Sequence, residues 1–326
     1  ASPVQPVRVN NYSTYVQANG HRVRDLTYNF TEDQYKSQDL TFTAEHLFVR
    51  TQTADIDGSA SGLEAAAFFP VDDIQEIVRH ETRSSILYCK TRSGRLYFVT
   101  LDRDYAVNAW GRVVLGNGTT QTFPYDTSPK VLSLCADPTT NKLTLLVERT
   151  INSVKTVTTE VMQDAWEYKN SHRTAPGYYA GSSPAVYLDC GYSCYNATAG
   201  VARTAWQVDN TSGGAAAKFP NAIVSVIADG KYIGEVTVDS SQQGYFTLDR
   251  AAIDVWIGFK YPGKLITNGL EVGGQIGLPV GRLKRIDEMV VRLHQTGSCK
   301  VGGSADNMEE LVIRTPSTPG DEPTPY

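Results

Sequence analysis

The stretch that decides the fold is Ile86–Leu101, which reads ILYCKTRSGRLYFVTL. Two runs of aromatic and branched apolar residues flank the polar segment Thr91–Gly94. Residues of this kind favour strands, and a short polar turn that ends in glycine is typical of the connection in a β-hairpin. We therefore predict two antiparallel strands over this stretch.

The same hairpin pattern recurs downstream. Val131–Cys135 and Lys142–Val147 flank the turn Asp137–Asn141, and a further hairpin turns at Asn152. The two units begin at Ile86 and Val131, about 45 residues apart, which is the period of a four-stranded propeller blade. A fainter unit lies upstream, so residues 1–165 hold roughly three blade-like units. An ordinary β-meander explains the same pattern, and both interpretations stay open.

The second half also carries strand patterns. A shift to Lys, Asn, Ser, His and Pro over Tyr168–Gly177 predicts a domain boundary. Beyond it, Ala222–Ala228 and Tyr232–Val238 flank the turn Asp229-Gly230, and Arg285–Leu293 is a further predicted strand. Several short strands with turn signals favour a β-sandwich or small barrel. The predicted fold is all-β: blade-like units over residues 1–167, a sandwich-like domain over 178–314 and a Pro-rich tail over 315–326.

Composition narrows the function classes. The chain has 326 residues, 41% hydrophobic and 20% charged, which is ordinary for globular domains and fits two of them. A net charge of −5 argues against a broad nucleic-acid surface. No apolar run reaches the roughly 18–20 residues of a membrane helix. The start at Ala1–Val4 shows neither an initiator Met nor a signal peptide, so we expect a trimmed chain or a fragment.

The cysteines do not predict a disulfide framework, because their number, five, is odd. Cys89 and Cys135 lie in apolar runs and are predicted to be buried. Cys190 and Cys194 have a C-x3-C spacing, but a structural zinc site would need two more ligands. Two free thiols in a strand or turn explain this pair better.

Acidic pairs are the remaining candidates for chemistry. Asp72-Asp73 and the pair Asp102 and Asp104 could bind a cation or supply carboxylates for glycoside hydrolysis, although closing loops is the simpler role. His80-Glu81 is predicted to be solvated surface. The glycines at 269, 273, 274 and 277 are predicted to form turns. We find no nucleophile elbow, phosphate loop or dinucleotide motif. We therefore expect no catalytic, cofactor-binding or metal-binding residues and no enzyme activity.

One basic cluster is a candidate DNA contact. It comprises Arg282, Lys284, Arg285 and Arg292. Clustered Lys and Arg side chains neutralise phosphates, whereas the same residues on a sheet edge are merely solvated. The sequence leaves both interpretations open.

A colinear series of motifs resembles a known family. In the first half these are the stretches Asp25–Phe48, Ser93–Arg112 and Leu145–Met162. In the second half they are Tyr187–Gly191, Ile227–Gly230, Trp256–Tyr261, Arg282–Ile286 and Val290–Gly297. Together they resemble the C-terminal portion of phage tail hub or nozzle proteins, the tail tubular protein B-like family of short-tailed phages. Each motif is weak, and their common order over nearly the whole chain carries the resemblance.

The resemblance implies a structural virion protein. Family members form a closed ring, usually a hexamer, that sits below a tail adaptor, conducts phage DNA and carries tail fibres, without inserting into a membrane. They also have further propeller sequence before these motifs. A closed propeller needs at least about four blades. We therefore expect residues near the N-terminus to pair with sequence from outside this chain.

Two other functions stay open. A receptor- or carbohydrate-binding tail fibre or adhesin should present an exposed aromatic patch on a tip loop. A glycan-cleaving enzyme should hold two carboxylates, such as those of Asp102 and Asp104, about 5–10 Å apart in a cleft.

Overall fold

The structure is a computed structural model, and it confirms an all-β fold. It describes residues 2–48, 72–81, 85–102, 107–117, 129–140, 142–162, 188–194, 201–208, 219, 221–229, 231–239, 244–261, 263–265, 288–292, 299–304 and 307–311. The chain divides into two compact units, residues 1–263 and residues 264–326. The predicted boundary at 168–177 and the Pro-rich tail lie outside the described residues.

The first sheet is an antiparallel meander of four consecutive strands. They are β1 (Val7–Val9), β2 (Tyr12–Val16), β3 (Val23–Asn29) and β4 (Gln34–Asp39). A short 3-10 helix, Glu45–Phe48, follows.

The second sheet repeats this topology and contains the hairpin that decides the fold. Its strands are β5 (Ile74–Glu81), β6 (Ser85–Thr91), β7 (Leu96–Asp102) and β8 (Val107–Val113). Strands β6 and β7 pair from Lys90↔Leu96 to Ser85↔Leu101, which confirms the predicted hairpin. Gly94 adopts φ +87° in its turn, a conformation that glycine reaches without the steric cost of a Cβ.

The third sheet has three strands in the order β11-β10-β9. They are β9 (Lys130–Asp137), β10 (Lys142–Ile151) and β11 (Val154–Met162). Asn152 and Ser153 connect β10 to β11 with φ values of 47° and 66°. Two successive positive φ angles are typical of the tight turns that match strand twist in hairpins.

The three meanders pack face to face in chain order, because the middle sheet is apolar on both faces. On β7, Tyr97, Val99 and Leu101 join a core with residues of the first sheet. Leu96 and Phe98, on the opposite face, join a core with the third sheet. Alternate side chains of a strand point to opposite faces, so a strand that is apolar throughout is covered on both sides.

Between residues 188 and 261, the described residues form two antiparallel sheets that share one core, and we call this part of the chain the sandwich. One sheet has the order β12-β17-β14-β15 and the other pairs β13 with β16. The strands are β12 (Asp189–Ser193), β13 (Arg203–Gln207), β14 (Ile223–Ala228), β15 (Lys231–Thr237), β16 (Tyr245–Ala252) and β17 (Val255–Phe259). Both sheets contribute to one core, with Trp206 and Phe246 from the smaller sheet and Val226 and Ile257 from the larger. In the described ranges neither sheet closes into a barrel.

The second unit contains one described hairpin, β18 (Cys299–Ser304) with β19 (Asn307–Leu311). The prediction of a strand at Arg285–Leu293 is wrong over its described part, since Glu288–Arg292 belongs to no regular element. Alternating polarity predicts which side chains share a face of a strand. A strand also needs the backbone of a neighbouring strand as its hydrogen-bond partner, and the alternation does not supply it.

Candidate functional sites: a buried ion cluster and an aromatic tip

The acidic residue Asp72 closes a turn. Its buried carboxylate accepts hydrogen bonds from the Thr91 hydroxyl (2.8 Å) and from the Ser93 backbone N–H (2.9 Å). The Ser93 hydroxyl also donates to it. Asp73 pairs with Arg92 across 2.7 Å. The two carboxylates therefore hold the β6–β7 turn.

The other predicted chemical residues are dispersed. Asp102 ends β7 and Asp104 lies outside the described residues, so a joint role of this pair stays a prediction. The prediction of a solvated His80 is wrong: its side chain is buried, with its ring 6.2 Å from that of Tyr88. His80 lies on the same face of β5 as Val78, which packs against the core that Tyr88 forms with the third sheet, whereas its neighbour Glu81 is exposed.

The thiols are free and mostly packed. Cys190 and Cys194 contribute to the sandwich core, where burial raises the pKa of Cys190 to about 12 and that of Cys194 further. Cys89 is buried as predicted, but Cys135 is exposed, because the register of β9 shifts between Val131 and Ser133, and Leu134, not Cys135, is then buried with Val131. Within the described ranges, no three or more His, Cys, Asp or Glu side chains group as a metal site.

The most heavily bonded buried group is the guanidinium of Arg149, a residue that none of the predicted sites includes. Its side chain is 1% exposed. Nε donates to the Gly116 carbonyl (2.9 Å), and Nη1 donates to the Thr158 hydroxyl (3.1 Å) and to Glu160. Nη2 donates to Glu160 (3.0 Å) and to Asp189 (3.1 Å). All five N–H donors of the guanidinium are used.

This cluster, Arg149 with Glu160 and Asp189, joins three parts of the fold. Arg149 and Glu160 lie on β10 and β11, and Asp189 begins β12 of the sandwich. Gly116, which follows β8, donates its backbone N–H to Asp189 (2.5 Å). The guanidinium carbon also lies 5.8 Å from the centre of the Phe259 ring, a cation–π distance.

The electrostatics of the cluster follow from burial. Desolvation raises the pKa of Asp189 to about 6, although the Arg149 charge opposes this shift. Desolvation alone would lower the pKa of Arg149, but its hydrogen bonds to Glu160 and the Asp189 charge raise it above the usual value. Every guanidinium donor is used within the protein. The geometry of the cluster is that of a structural connection.

A second feature is an exposed aromatic hairpin tip. We call Tyr28, Phe30 and Tyr35, at the β3–β4 turn, the aromatic tip. The Tyr28 ring packs edge-on against Phe30 (4.8 Å between centres) and against Tyr35 (5.2 Å). Phe30 is 87% exposed and Tyr35 is 71% exposed. This is the exposed aromatic patch expected of a binding protein.

Polar contacts hold the turn that carries the tip. The Tyr28 hydroxyl donates to Asp33, which raises the pKa of Tyr28. Glu32 accepts from Gln34 (2.6 Å) and pairs with Lys36. These bonds lie within one turn, so they position the rings without covering them.

The predicted basic cluster is described only at Arg292, which is exposed. Arg282, Lys284 and Arg285 lie outside the described residues. The role of the four residues in DNA contact therefore stays a prediction.

Comparison of the sequence with protein-family models found no match. Comparison with curated proteins found no match either. In the part of the chain that the structure describes, none of the helices has the length and apolarity to cross a membrane. The fold and the two sites describe an all-β protein of stacked antiparallel sheets with an ionic junction and an exposed aromatic tip.

Proposed function

We propose that the chain is a structural, non-enzymatic subunit of a phage tail hub or nozzle ring. In this role its three stacked meanders are sectors of a β-propeller, and copies of the chain surround the distal DNA channel of the virion tail. The ring binds a tail adaptor above and carries tail fibres, and no part of it enters a membrane.

The observation that supports the proposal is that the outer faces of the first and third sheets are exposed. The middle sheet is buried on both faces, whereas the outer sheets each present one exposed face. On the third sheet, Val157 (54% exposed) and Val161 (52%) lie on the outer face, opposite Glu148 and Thr144 of β10. On the first sheet, the paired Tyr28 and Tyr35 lie on the face opposite the buried Val23.

Exposed apolar side chains on both outer faces support assembly. Packing a further sheet against an exposed apolar face removes that face from water and is therefore favourable. Surfaces that differ at the two ends of a molecule generate rings when they join head to tail and the rotation closes. This is the behaviour that the resemblance to tail hub proteins implies.

The mass of the native assembly tests the proposal. We expect native mass spectrometry and analytical ultracentrifugation of the purified chain to show a closed ring of defined copy number. The double change Val157→Ser with Val161→Ser should weaken assembly, whereas Val201→Ser, at a similarly exposed valine of the sandwich region, should not. A chain that stays monomeric at high concentration and in the presence of adaptor would overturn the ring.

A second candidate function is a receptor- or carbohydrate-binding fibre or adhesin, which the aromatic tip favours. Aromatic rings provide apolar faces for sugar rings, and they are also common anchors of protein interfaces. Screening the wild-type chain and Phe30→Ser on immobilised host-surface glycans tests this function. Binding that disappears with Phe30→Ser would favour the adhesin over the ring.

A further inference from the structure

The aromatic tip needs an apolar cover that its own hairpin does not supply. Two of its rings are largely exposed, and the polar groups around it bond to one another within the turn. Aromatic side chains bury on the order of 150–250 Å² each when they enter an interface. Leaving such rings in water is unfavourable. Exposed aromatic side chains of this kind commonly anchor an interface by entering a pocket of the partner.

The same sheet carries an open depression at its other end. It has a volume of about 630 Å³, and its lining includes Val4, Pro6, Tyr15, Val16, Ala18 and Asn19. This volume lies within the range of about 300–1,000 Å³ that is usual for binding cavities. The described lining residues carry no charge, so an aromatic ring that enters meets no ion among them that would have to be desolvated.

The tip and the depression cannot meet within one chain. The depression adjoins the β2–β3 turn, just before β3 begins at Val23, and the tip surrounds the β3–β4 turn, just after β3 ends at Asn29. A seven-residue strand at about 3.3 Å per residue holds them roughly 20 Å apart. One copy therefore presents an apolar projection at one end of the sheet and an apolar cavity at the other.

We propose that the aromatic tip of one copy inserts into the depression of the next copy. This inference rests on the proposed ring function and adds one anchoring contact to the sheet faces that join its subunits. Phe30 enters the cavity, and the Tyr35 hydroxyl meets the polar side chains of Gln17 and Asn19 at its edge. The contact is heterologous, so repeating it gives a ring or a filament and not an isolated pair.

The area of the contact limits what the tip does alone. Two inserted aromatic side chains bury roughly 300–500 Å², less than the about 800 Å² per partner of a standard interface. The tip is therefore the anchor of a larger contact surface. Loss of such an anchor weakens association at least about tenfold.

Directed cross-linking tests the pairing itself. On a Cys135→Ser background, which removes the exposed native thiol, one protein carries Phe30→Cys and a second carries Asn19→Cys. Under mild oxidation we expect a disulfide-linked dimer from the mixture and little from either protein alone or from the parent background. Equal cross-linking of the single proteins, or none in the mixture, would overturn the pairing.

Removal of the rings tests their contribution. Phe30→Ser with Tyr35→Ser should weaken self-association at least about tenfold in sedimentation experiments. The matched control is Tyr232→Ser, which removes a 61%-exposed tyrosine of the sandwich and should leave self-association unchanged.

The outcomes separate this inference from the function on which it rests. If the wild-type chain forms a ring and the double tip variant forms it equally well, the tip contact is wrong and the ring stands. If the wild-type chain does not assemble and the mixed cysteine variants do not cross-link, both are wrong. Glycan binding at the tip without cross-linking would assign the tip to the adhesin function and overturn the self-contact.

Discussion

Arg149 occupies an inward-facing position of β10, where the neighbouring inward positions are Leu145, Val147 and Ile151. A charge at such a position costs several kcal/mol of desolvation unless partners compensate it. Glu160 and Asp189 supply that compensation together with the Gly116 carbonyl. Each member of the cluster is therefore tolerable only because the others are present.

Replacing Arg149 should expose this dependence. We expect Arg149→Met to lower the free energy of unfolding by about 3–5 kcal/mol, because two buried carboxylates lose their cation. Arg92→Met is the control: it breaks the exposed pair with Asp73 and should cost under about 1 kcal/mol. Urea unfolding measures both, and equal losses would show that the cluster is no more important than a surface pair.

Asp189 should make stability depend on pH. Its pKa in the folded chain, about 6, lies above the usual carboxyl value. The folded state therefore holds this proton more tightly, and its contribution to stability is fully present below about pH 4 and is lost as pH rises through 6. Two units of pKa correspond to roughly 3 kcal/mol.

The comparison with Asp189→Asn isolates this effect from other carboxyl groups. We expect the difference in unfolding free energy, wild type minus variant, to fall by roughly 3 kcal/mol between pH 4 and pH 7. Urea unfolding at several pH values gives the difference directly. A difference that is constant with pH would mean that the Asp189 carboxyl is not shifted.

At the scale of elements, the segment after β8 connects the sheet stack to the sandwich. Gly116 donates to Asp189 and accepts from Arg149. A Cβ at this glycine would lie 2.4 Å from the Lys260 carbonyl oxygen, at the end of β17. The two backbones approach so closely that only glycine fits without displacement.

Gly116→Ala should therefore force these elements apart. We expect a loss of about 1–3 kcal/mol, as for other insertions of a methyl group into packed sites. Gly263→Ala is the matched control, since a Cβ at Gly263 would have nothing within 4 Å and the backbone there is unstrained. Thermal unfolding followed by circular dichroism compares the two, and similar melting temperatures would contradict the close approach.

At the scale of the whole molecule, the third meander and the sandwich share buried structure. Ile151 at the end of β10 belongs to the sandwich core, and Arg149 beside it pairs with Asp189. Residues 1–263 accordingly group as one compact unit. The sandwich should depend on the preceding sheets for its stability.

Dividing the chain should reveal this dependence. We expect residues 178–326, produced alone, to unfold at a lower urea concentration than the same region in the full chain, because Asp189 lacks its cation and the core lacks Ile151. Loss of one such core side chain alone costs about 2–5 kcal/mol. The buried Trp206 reports the transition by fluorescence. Adding residues 1–177 as a second chain should restore the midpoint, and an unchanged midpoint would show that the sandwich folds independently.

The sequence by itself determined the hairpins and the all-β class, although its predicted strand at Arg285–Leu293 does not form over Glu288–Arg292. These depend on local alternation and turn chemistry, which Ile86–Leu101 and Asn152-Ser153 carry within a few residues. The alternation along β10 also marks Arg149, because it places a charged residue among inward-facing apolar ones. Its partner Asp189 could not be predicted in this way, because it lies forty residues further along the chain. The tertiary structure alone decided that His80 is buried, that Cys135 is exposed and that Arg149 has two carboxylate partners. Burial and ion pairing depend on which sheets pack together, and sequence spacing does not carry that information.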